Sequence, residues 1–128
     1  MKLRIRGNSL RLRLDQSDVS RFGTEGKISA SLEFGQGSHP FVYTLVSDDK
    51  IERPKATFDN GNLTVFIPKA LADEWTSTDT VGIESADSVP SILIEKDFAC
   101  LSARDGEDGS DMFPNPESSV CYNQDTVS

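Results

Sequence analysis

The chain has 128 residues and a net charge of −8, with 36% apolar and 27% charged residues. This is the length of one domain, with enough apolar side chains for a core that needs no metal or disulfide staples. The negative balance argues against a general nucleic-acid or membrane binder, because phosphate backbone and anionic lipid both repel such a surface.

In chain order, Leu3 and Ile5 alternate with Lys2, Arg4 and Arg6, then Gly7-Asn8 offers a two-residue turn, then Leu10, Leu12 and Leu14 alternate with Arg11 and Arg13. Alternation of this kind predicts a hairpin with one buried face and one basic face. Asp15 or Ser17 then caps a short helix carrying Val19 and Phe22, ended by Gly23 and Gly26. Lys27–Phe34 alternates again, residues 35–40 make a turn, and Phe41–Val46 is a further strand. Residues 47–55 are polar and read as a connection.

The order of events then repeats. Ala56–Phe58 is a strand, Asp59–Asn62 a turn, and Leu63, Val65 and Ile67 the next strand. Pro68-Lys69 opens a helix with Leu71, Ala72 and Trp75 on its apolar side. Asp79–Ile83 and Ile92–Ile94 are the last two strands, separated by Pro90. A constant offset of 53 places Ile5 on Phe58, Leu12 on Val65, Phe22 on Trp75, Ile28 on Val81 and Ala30 on Ile83. What repeats is apolar phase, turn position and helix position rather than residue identity.

The expected fold is mostly β: a small closed barrel from two pseudo-symmetric β-β-α-β-β repeats, about 2–46 and 55–98, with two short helices and an acidic C-terminal tail. Residues 1–101 form the duplicated domain and 102–128 the tail. The expected core is Leu10, Leu12, Leu14, Phe22, Ile28, Leu63, Val65, Ile67, Trp75, Val81 and Ile83.

Gly7-Asn8-Ser9-Leu10-Arg11-Leu12-Arg13-Leu14, Gly61-Asn62-Leu63-Thr64-Val65-Phe66-Ile67-Pro68-Lys69 and Asp79-Thr80-Val81 are similar to stretches of the AbrB/MazE swapped-hairpin family. The resemblance covers residues 2–34 and 56–87, and departs from the family at Asp15, where a proline is usual, and at Gly26-Lys27. It implies a chain that fuses both halves of a pseudo-symmetric dimer, and a DNA-binding alternative through Arg4, Arg6, Arg11 and Arg13. The whole chain also resembles a small bacterial family of unknown function, through its opening Met1–Arg11, Asp97-Phe98-Ala99-Cys100-Leu101 and Asp111–Pro116.

Charge is unevenly placed. Residues 1–30 hold seven Lys or Arg against three Asp or Glu, whereas residues 97–128 hold Arg104 against seven carboxylates. The four arginines would share one strand face, either contacting phosphates or standing solvated and paired with acidic groups of the chain. The second repeat has Thr57, Asp59, Thr64 and Phe66 at those places, so a two-fold basic face would be half missing.

The tail run Asp105–Asp111 has part of a calcium-loop spacing but breaks at Gly109 and Ser110. It reads as a flexible acidic tail, or as one folding back so that Phe113 anchors on the domain. Cys100, Asp108 and Asp111 are residue types that can ligate a metal, but no metal or cofactor is expected. Cys100 reads as a buried thiol, and both it and Cys121 as free in a reducing compartment. His39 is the single histidine and has no acid partner beside it, so an enzyme is not expected.

The expected function is a non-catalytic interaction domain that binds a protein, with a DNA-binding regulator as the alternative. A cytoplasmic chain, monomeric or weakly dimeric and without a membrane segment, is expected.

Overall fold

The computed structural model describes residues 1–98 and Phe113. The chain divides into two compact units, Met1–Asp97 and Phe98–Ser128. In the second unit Phe98 and Phe113 are exposed. The thiol, metal and acidic-run expectations for the tail lie outside the described residues.

The first unit contains β1 (Lys2–Arg6), β2 (Ser9–Leu14), α1 (Gln16–Glu25), β3 (Lys27–Leu32), β4 (Phe41–Asp48), β5 (Lys55–Asp59), β6 (Asn62–Pro68), α2 (Lys69–Ser77), β7 (Gly82–Ser85) and β8 (Ser91–Lys96). The strands form two four-stranded sheets, β1-β2-β8-β7 (sheet 1) and β3-β4-β6-β5 (sheet 2). The seams β2–β8 and β4–β6 are parallel, and every hairpin pair is antiparallel. Each sheet therefore joins the first hairpin of one repeat to the second hairpin of the other.

The closed barrel expected from the alternation is not formed by the described residues. Among the described residues β1, β7, β3 and β5 remain sheet edges. Alternation specifies one buried face per strand, and two sheets contributing to one core meet that demand as fully as a closed cylinder does. The inner faces and the helices share a single cluster, with Leu12, Leu14, Leu45, Val65, Ile67, Phe22, Trp75 and Ile94 essentially inaccessible.

The offset of 53 holds through the helices. Leu12 pairs with Ile94 across one seam and Val65 with Leu45 across the other, so Leu45 and Ile94 are equivalent. Ile28 pairs with Leu45 and Ile83 with Ile94, so the true match of Ile28 is Ile83 rather than Val81. The second repeat spends four residues between α2 and β7, where the first spends Gly26 alone between α1 and β3. The net slip of two residues preserves the facing of the strand but carries Val81 out of the core, where it is 53% exposed. Its carbonyl instead accepts from the Trp75 indole (2.9 Å) and the Lys96 backbone N–H (3.0 Å).

Asp15 caps α1 in a reciprocal box: the Asp18 N–H donates to Asp15 Oδ1 (2.9 Å) and the Asp15 N–H to Asp18 Oδ2 (3.2 Å). Gly26 ends the helix in the left-handed region, whereas Gly23, expected as a stop, lies inside it. A Cβ at Gly23 would meet the Thr76 side chain at 3.4 Å, an ordinary contact distance, so this position faces α2. Beside it the Phe22 and Trp75 rings meet edge to face at 6.2 Å. Pro68 is the N-cap of α2 and the last residue of β6, one place earlier than a first-turn position.

Candidate functional site

The alternation of β1 and β2 puts all four arginines on the outer face of sheet 1, as their spacing implies. The cross-sheet rows are Lys2–Arg13–Glu95 and Arg4–Arg11–Leu93. Glu95, delivered by β8 from the far end of the sequence, divides the arginines into two pairs. Arg13 Nε lies 2.9 Å from Glu95 Oε1 and Arg11 Nε 3.5 Å from the same oxygen. The Arg13 side chain is 15% exposed and that of Arg11 30%. Lys2 is held by Asp97 at 2.9 Å. Arg4 and Arg6 are exposed and have no carboxylate within salt-bridge distance among the described residues.

The corresponding face of sheet 2 is chemically different. β4 and β6 present Val42, Thr44, Val46, Thr64 and Phe66, all half-buried. Lys55 stands over the Phe66 ring at 5.3 Å. The fold is pseudo-symmetric while its two outer faces are not.

A second surface lies at the β3–β4 and β5–β6 turns. Leu32, Phe34, His39, Pro40, Phe41, Asn60 and Gly61 line an open groove of about 580 Å³. Phe58 extends it, with its ring 6.4 Å from that of Phe41, which in turn lies 5.9 Å from Tyr43. Leu32, Phe34 and Phe58 are 54%, 63% and 67% exposed. A cluster of large apolar side chains left in water is unusual for an isolated monomer surface. His39 lines the groove among these apolar side chains. The groove was not foreseen from the sequence, because Leu32 and Phe58 continue the buried phase of their strands. Its signal was positional: each lies in the last two residues of a strand, where the opposing sheet no longer covers it.

At the other end of β2 the Met1 ammonium donates to Asp18 Oδ2 at 2.7 Å. Burial pushes the Asp18 carboxyl up, but the bond from that ammonium, the Asp15 N–H and the ammonium's charge together hold it below the ordinary value of 3.8. This is a structural contact rather than a reactive one. Among the described residues no group of three or more His, Cys, Asp or Glu could hold a metal, and no helix is long and apolar enough to cross a membrane.

A family model described as a family of unknown function (DUF7009) matches residues 1–117. No curated protein and no solved structure matches the chain.

Proposed function

The chain belongs to the DUF7009 family of unknown function, and from that footing we propose that it is a non-catalytic protein-binding domain. The observation that carries this reading is the exposed aromatic groove of Leu32, Phe34, Phe41 and Phe58. Aromatic side chains at strand ends and in the adjoining turn provide large contact area at little conformational cost, which is what an interface core requires. Its walls are mostly apolar, with His39 the one titratable side chain among the lining residues, so what it chiefly offers is a contact surface.

The finer architectural reading is a fused form of the AbrB/MazE-like swapped hairpin. Its support is the exchange of hairpins between the repeats, which puts one hairpin of each into each sheet. The reading places the domain in the cytoplasm, as a monomer or weak homodimer with a protein partner.

Duplex DNA is the weaker alternative. Arg11 and Arg13 share Glu95, and the second repeat offers Thr57, Asp59, Thr64 and Phe66 in place of the arginines. Two measurements separate the readings. In the first, the purified chain and its Phe34→Ser, Phe58→Ser variant serve as bait for partners from the source cell; a partner retained by the first and lost by the second is expected. In the second, anisotropy with mixed-sequence duplex is followed across salt concentrations. Binding that falls steeply with salt and disappears in Arg4→Ala, Arg6→Ala would overturn the protein-binding reading in favour of DNA.

A further inference from the structure

Strand β1 is an edge unlike the other three. β7 has only four residues, β5 carries Lys55 and Asp59 of opposite sign, and the outer face of β3 has one cation, Lys27, followed by Ser29 and Ser31. β1 carries Lys2, Arg4 and Arg6 on its outer face and Leu3 and Ile5 on its inner face. Arg4 stands directly across from Arg11, a like-charged cross-strand pair of the kind that destabilises a sheet. The carboxylate nearest Arg11 is already shared with Arg13. On the inner face Ile5 is 60% exposed although its cross-strand partner Leu10 is buried. The strand thus leaves two things unmet at one edge: cationic charge on one face and apolar surface on the other.

We propose that the β1 edge receives an extended segment of a partner protein as a fifth strand of sheet 1. That segment carries carboxylates at alternate positions, opposite Arg4 and Arg6, and an apolar residue between them that covers Ile5. Strand addition satisfies the backbone groups of the edge, and the period of two delivers both chemistries at once. A protective edge charge would account for the arginines but not for the bare Ile5 between them. A nucleic acid would meet the arginines and likewise leave Ile5 in water. The inference rests on the protein-binding reading and adds a second contact, away from the aromatic groove.

The probe is a labelled peptide of sequence Gly-Glu-Val-Glu-Val-Glu-Gly, compared with Gly-Glu-Glu-Glu-Val-Val-Gly and with a mixed-sequence DNA duplex. The full chain is titrated with each, by anisotropy and by amide NMR shifts. The expected result is binding of the alternating peptide about tenfold or more tighter than the blocked one, with shifts concentrated on β1 and β2. Arg4→Glu, Arg6→Glu should abolish it. Because both side chains are exposed, that variant should keep the wild-type circular dichroism spectrum; should it not, Arg4→Gln, Arg6→Gln is read in its place. Equal binding of the two peptides, tighter binding of the duplex, or no binding of either peptide would each overturn the proposal. Failure here leaves the groove reading to its own test, since Phe58 lies on the other sheet and Phe34 in the β3–β4 connection.

Discussion

Asp18 and Gly82 show how much of the stability hangs on single positions. Asp18 accepts from the Met1 ammonium and the Asp15 backbone, while its own N–H is capped by Asp15. Its folded carboxyl titrates below the ordinary 3.8, so its ionisation stabilises the fold fully at pH well above 3.8 and ceases to as pH falls through the lowered value. Asp18→Asn should cost about 1 kcal/mol near neutral pH, and the gap from wild type in urea unfolding should close in acid. A gap that widens on acidification would refute this account. Gly82 has a different constraint: a Cβ there would sit 2.8 Å from the Ile94 carbonyl oxygen, which is backbone and cannot swing away. Gly82→Ala should destabilise by about 1–3 kcal/mol, measured as a lower urea midpoint at unchanged slope. The Asp15 cap was legible in the sequence, whereas the Met1–Asp18 contact and the crowding at Gly82 were not, since both depend on which distant segments lie alongside.

At the scale of elements, alternation carried most of the information. All but one of the eleven core side chains expected from phase are buried, because a period of two or of 3.6 is imposed by any partner that covers one face. The exception, Val81, failed through the length of a connection, which phase does not encode. This yields a paired test of the two-residue slip. Ile83→Ala should cost about 2–4 kcal/mol, whereas Val81→Thr should stay within about 0.5 kcal/mol of wild type. Comparable costs at both would restore the constant offset. The arginine face was legible for the same reason as the core. The pairing with Glu95 was not, because Arg13 and Glu95 are 82 residues apart in sequence and meet only across the β2–β8 seam. Glu95 thereby sets Arg11 and Arg13 apart from Arg4 and Arg6, which stay exposed at the edge.

At the scale of the molecule, the duplication could be read from spacing while the exchange of hairpins could not. Pairing each hairpin with its own repeat, or with the other, buries the same side chains. What distinguishes them is the burial available. A repeat on its own would offer two hairpins and a helix, and its strands β2 and β4 would lack their parallel neighbours β8 and β6. Isolated hairpins are marginal in water. The connection between β4 and β5 therefore keeps the two halves at high effective concentration. Fragments cut between Lys50 and Ile51 should each lack the far-ultraviolet β spectrum and dispersed amide resonances, and should recover both on mixing at one to one. The recovered complex should unfold in a concentration-dependent transition, since cutting turns an intramolecular association into a bimolecular one. A fragment that folded alone would mean that each repeat carries its own core, and that the parallel seams are a consequence of the fold rather than its cause.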